Sequence, residues 1–259
     1  IGTLNTVIFC PEDLQLIKGT PSGRRRFLDM EISQTSATYY HQLMQYNRLL
    51  QQRNAVLKEY RGKNTIPLEE WDLQLADMAS FIVKKRLESL KKINLLIDLM
   101  NRKLTGGLEN LTIGYEQPYM DNGSLEYTKE GFYERIKAAL PQDRHRLSTS
   151  VGPHRDDLRF FSDAMDLKKF GSQGQQRTAV LSLKLSELEF IKSEVGEYPV
   201  LLLDDVLSEL DESRRTNLLQ FIHKRIQTFI TTTDIHDFKD LKSVQFISCE
   251  GGNVQYGQP

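Results

Sequence analysis

Two aspartates directly follow an apolar run in the stretch YPVLLLDDVLSELDESRR, residues 198–215. A buried strand that ends in a carboxylate is how nucleotide hydrolases hold Mg²⁺ beside a triphosphate. Mg²⁺ takes oxygen ligands, usually with only one or two carboxylates from the protein. The position of Asp204 fits a magnesium ligand, and that of Asp205 fits a group that orients or deprotonates the attacking water. The alternative is that the pair only ends the strand and caps the next helix.

A second candidate site is the loop FGSQGQQRT, residues 170–178, which precedes a long helical pattern. Ser172 is a good N-cap residue, and Gly171 and Gly174 let a backbone approach a ligand closely. The first N–H groups of the helix would then face an anion, and the helix dipole adds to the attraction. An ordinary helix cap is the alternative, but the acidic strand downstream favours a phosphate site.

The elements around the aspartates predict a parallel sheet. The apolar strands VLLLD (200–204) and QTFITTT (227–233) flank the helical stretch SRRTNLLQFIHKR (213–225). Strand, helix and strand in this order, with continuous apolar strands, are typical of a parallel sheet covered on both faces. Active groups in such sheets lie beyond the carboxyl ends of the strands. We therefore expect the aspartate pair and residues 231–234 at one edge.

Apolar residues at intervals of three and four predict two long helices, over residues 39–60 and 71–104. The stretch RGKNTIP (61–67) separates them, so the helices should fold back antiparallel on each other. A plain hairpin on its own core and a protruding arm both fit this pattern. Further predicted elements are strands over 4–10, 111–116 and 157–161, a helix over 131–140 capped from Thr128, a helix over 176–194, and a loop with Gly19, Pro21 and Gly23 before three arginines.

The composition describes a globular chain without a strong global charge. Its 259 residues include 34 Lys plus Arg and 35 Asp plus Glu, so a nucleic-acid surface must be local. The densest basic stretch consists of Lys18, Arg24, Arg25 and Arg26, for which a solvated face is the alternative to DNA contact. The two cysteines form no CxxC pair, and no apolar run of 18 residues or leader is present. We expect a cytoplasmic protein without a membrane segment.

Several segments together resemble known ATPases. SQGQ is similar to the signature loop of ABC-type ATPases, VLLLDD to their Walker B strand, and SELD (208–211) to their D-loop. In order along the chain, five segments resemble the bacterial RecF family: VIFCPEDLQLIKGTPSGRRRFLDMEISQ, QRN, SVGPHRDDLRF, KKFGSQGQQRT and VLLLDDVLSELD. The resemblance runs from about residue 4 to residue 235 and implies an α/β ABC-type ATPase head, with a mostly parallel sheet and a helical arm lobe. We predict a remainder of the N-terminal ATPase lobe (1–25), the arm lobe (26–144) and the C-terminal ATPase half (145–259).

The resemblance also implies cofactors and residue roles. ATP with Mg²⁺ would drive homodimerisation, because the signature loop of one head contacts ATP on the other. The implied roles are magnesium binding by Asp204, the catalytic position for Asp205, contacts in trans from Ser172, Gly174 and Gln175, D-loop positions for Ser208 and Asp211, and the switch position for Thr233.

The resemblance further implies a role in DNA repair, recombination, replication and the SOS response. The ATP-bound state would clamp duplex DNA near single-strand gaps, at junctions of single and double strands. Partners would be RecR and RecO, so that RecA is loaded onto the gap, and ATP hydrolysis would be slow. The alternatives are a nonenzymatic interaction module and another SMC-like ABC ATPase, whereas KKFGSQGQQRT and the helical arm fit a membrane-transporter ATPase poorly.

One ATPase motif is missing from the sequence. GxxxxGK[ST], which cradles phosphates, has no match, because Gly62-Lys63 is preceded by Leu57 at the first glycine position and followed by Asn64. The resemblance places this loop upstream of the matched segments, and LNTVIFC already has the pattern of a strand within a fold. We therefore expect a fragment that binds ATP poorly by itself and does not turn it over.

Overall fold

The computed structural model describes residues 4–61, 67–107, 109–119, 127–207, 210–233, 238 and 244–257. The strands are β1 Thr6–Phe9, β2 Leu111–Glu116, β3 Asp157–Ser162, β4 Met165–Asp166, β5 Val200–Asp204, β6 Thr228–Thr231, β7 Phe246–Glu250 and β8 Asn253–Gly257. The helices are α1 Gln15–Lys18, α2 Pro21–Thr35, α3 Ala37–Glu59, α4 Glu69–Thr105, α5 Lys129–Ala138, α6 Leu140–Arg146, α7 Leu167–Phe170, α8 Gln173–Val195 and α9 Glu212–Ile222. Short 3₁₀ helices span Pro11–Leu14 and Pro153–Arg155.

The central sheet is parallel, as the apolar strands predict. Its order is β1-β5-β6, and β5 pairs parallel with both neighbours. Val7, Leu201 and Leu203 are buried, so the sheet contributes directly to the core. The antiparallel pairs lie outside this sheet, in a second sheet of order β2-β3-β4 and in the hairpin β7-β8. The α/β architecture with a parallel sheet is therefore confirmed.

The two predicted long helices form α3 and α4, and a buried ion network joins them. Arg53 on α3 is fully buried, and its guanidinium donates to Asp72 at the start of α4 at 2.6 Å. It also donates to Asp143 on α6 at 2.7 Å and to the Thr149 hydroxyl at 2.9 Å. Asp72 and Asp143 are therefore paired charges, as buried carboxylates need to be.

Helix α4 also packs on the rest of the molecule. Asn94 donates to the carbonyl of Ile113 on β2 at 2.9 Å, and Asn101 accepts from the Ser182 hydroxyl on α8 at 3.1 Å. Buried apolar residues from the sheet, from α4 and from α8 belong to one continuous core. In the described residues, α4 is thus packed against β2 and α8 along its length. The predicted division at residues 25 and 144 stays a prediction.

Helix α8 lies at the centre of this core. The sequence predicts one apolar face on it, through Leu181, Leu185, Leu188 and Ile191, and all four are buried. Val180, Leu183 and Phe190 on its other sides are buried as well. A helix that is apolar on most sides is buried between layers. The helix ends at Val195, and the following Gly196 has a φ of 90°, the left-handed conformation typical of a residue after a helix.

The predicted loop around Pro21 and Gly23 is wrong. Residues 21–35 form α2, with Pro21 in the first turn, where its missing N–H costs nothing. Phe27, Leu28 and Ile32 anchor this helix in the core. In the described part of the chain, no helix is long and apolar enough to cross a membrane.

Candidate functional site

The carboxyl ends of β5 and β6 bring Asp204 next to Thr231. The parallel register pairs these two residues at the end of the sheet. The Thr231 hydroxyl donates to Asp204 Oδ1 at 2.6 Å and accepts from the backbone N–H of Asp205 at 3.0 Å. The expected meeting of the aspartate pair with residues 231–234 is therefore found at Thr231, whereas Asp234 lies outside the described residues. Sequence pattern alone does not single out Thr231, because its contact with Asp204 depends on the register of β5 and β6.

Asp204 and Asp205 both have exposed side chains, and the backbone of Asp205 has φ 51°. This left-handed conformation is uncommon outside glycine, although Asp tolerates it better than most residues. The alternative that the pair caps the next helix does not hold. Helix α9 is capped by Asp211, whose side chain accepts from the N–H of Arg214 at 2.9 Å. The cap of α9 therefore does not explain the aspartate pair.

The predicted N-cap at Ser172 is present and reciprocal. Its hydroxyl accepts from the N–H of Gln175 at 3.2 Å, and Gln175 Oε1 accepts from the N–H of Ser172 at 3.0 Å. Because the serine oxygen serves as the acceptor, its own O–H remains able to donate. The N–H of Gln176 bonds to the carbonyl of Ser172 at 3.0 Å. Of the first helical N–H groups, those of Gln173 and Gly174 are the ones left to face a ligand.

The two glycines beside Ser172 serve different purposes. A Cβ at Gly171 would lie 2.6 Å from the carbonyl oxygen of Leu167, so local packing alone requires this glycine. At Gly174 the nearest atom to a Cβ would be Ser172 Oγ at 4.0 Å. Close approach of a ligand therefore remains an explanation for Gly174. For Gly171 the explanation is its tight packing on Leu167, and not the approach of a ligand.

Within the described residues, Asp204 and Gln175 bond to different partners. Asp204 is bonded to Thr231, whereas Gln175 bonds to Ser172 and, through Nε2, to Glu109 at 2.9 Å. Thr233 is exposed beyond the end of β6, and Ser208 lies outside the described residues. The assignments of Thr233, Ser208 and Asp211 stay predictions.

The basic stretch divides between the interior and the surface. Arg24 is only 3% exposed. Its Nε and NH2 groups donate to the two oxygens of Asp157, each at 2.8 Å. Arg24 is therefore a structural ion-pair residue in this fold, and its assignment as a DNA contact is corrected. Lys18 and Arg26 are exposed, so they remain candidates for phosphate contacts.

Arg25 and Arg26 line a cleft of about 640 Å³ between α2, α3 and the turn around His154. Burial, followed by the charge of Arg86, lowers the pKa of the Arg25 guanidinium. Burial also lowers the pKa of His154 to about 4, so its ring is neutral at pH 7. Arg86 is paired with Asp29 at 2.9 Å, so the positive charge of this cleft comes from Arg25 and Arg26.

The exposed carboxylates of Asp204 and Asp205 are oxygen ligands of the kind that hard divalent cations such as Mg²⁺ take. Asp204 Oδ1 is held by Thr231, and carboxylate oxygens are hard ligands of the kind that Mg²⁺ prefers. Within the described ranges, no cluster of three or more His, Cys, Asp and Glu residues could hold a metal. Mg²⁺ commonly keeps several waters and takes only one or two carboxylates.

Comparison with known proteins finds relatives whose sequences match nearly the whole chain. No family model matches. The DNA replication and repair protein RecF of Alkaliphilus oremlandii is 50% identical over 244 residues, which is 93% of this chain and 66% of the relative. RecF of Halalkalibacterium halodurans is 45% identical over 261 residues, with 98% of this chain and 70% of the relative covered. The chain thus spans just under two thirds of the first of these relatives.

Solved structures agree with this comparison. The structure of the recombination mediator protein RecF-ATP in the RecFOR pathway is 38% identical, has a TM-score of 0.87, and is matched over 99% of this chain and 69% of its own. An Smc head domain from Pyrococcus furiosus, solved with the C-terminal domain of ScpA, is 14% identical with a TM-score of 0.51 over 98% of this chain and 61% of its own. The second similarity concerns the fold alone, which is that of an ABC ATPase head.

Proposed function

Because this chain belongs to the RecF family, we propose that it provides the Walker B and signature halves of an ATP-gated clamp in DNA repair. The observation that carries the proposal is the pair of Asp204 and Thr231 at the carboxyl edge of the parallel sheet, the edge at which such sheets bind ligands. The relative solved as RecF-ATP supports ATP as the nucleotide.

The residues at the sheet edge would serve the magnesium side of the site. Asp204 would hold Mg²⁺, with Thr231 fixing the direction of its carboxylate. Asp205 would orient the attacking water, and Thr233 would lie at the switch position. Bound Mg²⁺ supplies neutralisation of the charge on the phosphate oxygens.

The signature loop would serve a second head. The Ser172 O–H and the N–H groups of Gln173 and Gly174 are not donors in the cap's own bonds and could donate to phosphate oxygens, a common role of helix N-termini. Gln175 orients this first turn from within the loop. ATP would therefore lie between two heads and favour a homodimer, with Ser208 and Asp211 at its seam.

DNA binding is proposed for the exposed and half-buried cations of the basic stretch. Lys18, Arg25 and Arg26 would contact phosphates of duplex DNA near single-strand gaps, without sequence preference. Cooperation with RecR and RecO, and loading of RecA, are proposed from the family. The relative's assignment to the RecFOR pathway supports this.

A chimera tests the proposal in a complete head. In it, residues 4–257 of this chain replace the corresponding stretch of the Alkaliphilus oremlandii RecF, to which this chain is 50% identical. We expect sedimentation velocity to show a dimer with MgATP and a monomer without nucleotide. Asp204→Asn should abolish the MgATP-dependent dimer, because the amide is a poor magnesium ligand.

The matched control is Asp77→Asn, which changes an exposed aspartate on α4. It should leave dimerisation unchanged. If Asp204→Asn dimerises with MgATP like the parent chimera, the acidic edge is structural. A nonenzymatic interaction module is then the better description.

A further inference from the structure

The side chain of Gln175 in the signature loop is held at both ends. Its Oε1 accepts from the N–H of Ser172 at 3.0 Å, while its Nε2 donates to Glu109 Oε1 at 2.9 Å. Ser172 and Gln175 are three residues apart, but Glu109 is 66 residues away along the chain. The cap of α8 therefore has a partner outside its own helix.

Glu109 is itself fixed by two other elements. Its Oε2 accepts from the Ser162 hydroxyl at the end of β3 at 2.9 Å, and its carbonyl accepts from Asn101 Nδ2 on α4 at 2.9 Å. Asn101 in turn accepts from Ser182 on α8 at 3.1 Å. The carboxylate thus lies at the junction of the long helix α4, strand β3 and the helix that begins with the signature loop.

Glu109 cannot bind a phosphate directly, since two anions repel each other. Both of its carboxylate oxygens already accept from neutral donors. Hydrogen bonds to an ionised group are shorter and stronger than those between neutral groups. The carboxylate also lies by the N-terminus of α8, where the helix dipole favours negative charge. The hydrogen bond from Gln175 and the helix dipole therefore both favour the carboxylate of Glu109 beside the loop.

We propose that Glu109 is the positioning residue of the signature loop. By holding Gln175, it keeps the Ser172 hydroxyl and the N–H groups of Gln173 and Gly174 in the arrangement that ATP on a second head would meet. The part of this inference that concerns ATP rests on the proposed function. The part that concerns the loop rests only on the hydrogen bonds of Glu109, Gln175 and Ser172 in this chain. Through its bond with Asn101, Glu109 also connects α4 with the signature loop.

Substitutions at Glu109 and Gln175, including a swap of the two side chains, test the pair directly. In Glu109→Ala the Gln175 amide loses its partner. In Gln175→Glu two carboxylates face each other. The double variant Glu109→Gln with Gln175→Glu restores an amide–carboxylate bond with its direction reversed. It also retains a capping box, since serine followed three residues later by Glu is a standard pair.

Hydrogen exchange of the Ser172 and Gln175 amides in the 259-residue chain is the first measurement. We expect exchange about tenfold faster in Glu109→Ala and in Gln175→Glu, a factor that corresponds to about 1.4 kcal/mol, and a return towards the parent rate in the double variant. Glu88→Ala, an exposed glutamate on α4 paired with Lys85, is the control and should change neither amide. Unchanged exchange in Glu109→Ala overturns the positioning role, because the capping box then holds the loop alone.

Dimerisation of the chimera with MgATP is the second measurement. Glu109→Ala should raise the MgATP concentration required for half dimerisation about tenfold, and the double variant should reverse most of that shift. If Glu109→Ala speeds hydrogen exchange of the loop but leaves the MgATP concentration for half dimerisation unchanged, the proposed link between Glu109 and ATP is wrong. A parent chimera that never dimerises with MgATP, with Glu109→Ala still loosening the loop, contradicts the proposed function and leaves the structural role of Glu109 supported.

Discussion

The hydroxyl of Thr231 donates a 2.6 Å hydrogen bond to Oδ1 of Asp204, across two neighbouring parallel strands. The same hydroxyl accepts from the N–H of Asp205 at 3.0 Å. One side chain therefore fixes both the carboxylate proposed for magnesium and the backbone of its neighbour. The left-handed φ of Asp205 makes that second bond more important, since nothing in its residue type enforces this conformation.

Thr231→Val should weaken MgATP-dependent dimerisation of the chimera. Valine has a similar shape without the hydroxyl, so Asp204 loses its donor and the Asp205 N–H its acceptor. The free energy of unfolding should fall by about 1 kcal/mol, measured by urea denaturation. Thr112→Val, at an exposed position on β2, is the matched control. Dimerisation at the parent MgATP concentration would show that Thr231 has no part in the site.

Substitutions at Ser172 should separate helix capping from ligand binding. Ser172→Ala should lower the free energy of unfolding by about 1 kcal/mol, since the cap is removed. Ser172→Asp keeps a capping oxygen and should retain stability, but its negative charge would face the phosphates and abolish MgATP-dependent dimerisation of the chimera. Thermal melts and sedimentation velocity measure the two effects. Dimerisation of Ser172→Asp at parent levels contradicts a phosphate contact from this loop.

The buried cluster around Lys184 should make stability depend on pH. Burial raises the pKa of Glu31 to about 7, although Lys184 opposes the shift and Asp13 adds to it. Burial also raises the pKa of Glu187, which shares Lys184 with Asp13. A carboxyl group with a raised folded pKa binds its proton more tightly in the folded state than in the unfolded state. Its contribution is therefore present below its ordinary pKa and is lost as pH rises towards 7.

We accordingly expect the urea midpoint to fall between about pH 5 and pH 8, and Glu31→Gln to flatten this dependence, because the amide needs no proton. Glu88→Gln changes an exposed glutamate and should leave the slope as it is. An equal slope in the parent and in Glu31→Gln would contradict a protonated Glu31.

Loss of the buried guanidinium of Arg53 should be among the costliest single changes. Arg53→Met leaves Asp72 and Asp143 buried without their cation, which costs about 3–5 kcal/mol when one partner of a buried pair is removed. Arg48→Met, on the exposed side of α3, should cost less than about 0.5 kcal/mol. Urea denaturation of both variants measures the difference. Similar costs would mean that the network contributes little.

The salt dependence of DNA binding should distinguish the surface cations from Arg24. In the chimera, Lys18→Ala with Arg26→Ala should reduce the slope of log affinity against log salt by about 1 for each DNA phosphate that the variant no longer neutralises. Arg24→Ala should lower stability, because Asp157 loses its partner, and should leave the slope unchanged once the protein is folded. An unchanged slope in the Lys18 and Arg26 variant would place the DNA site elsewhere.

Features of local origin were largely predictable from the sequence. The cap at Ser172 depends on residues three positions apart, and the long helices follow from apolar spacing within a few turns. The end of β5 at Asp204 follows from an apolar run that stops there. Helix α2 is the exception. Its Pro and Gly residues predict a loop, but packing of Phe27, Leu28 and Ile32 overrides that local preference.

The sequence by itself determined the positions of Asp204 and Ser172, because strand ends and helix caps are encoded by neighbouring residues. Only the tertiary structure decided which side chains these residues meet. Arg24 and Arg26 look alike in the sequence, yet one is paired with Asp157, 133 residues away, and the other is exposed. Likewise Gln175 meets Glu109 only because α4, β3 and α8 converge at one point. Such contacts depend on how whole elements pack, and no local pattern encodes them.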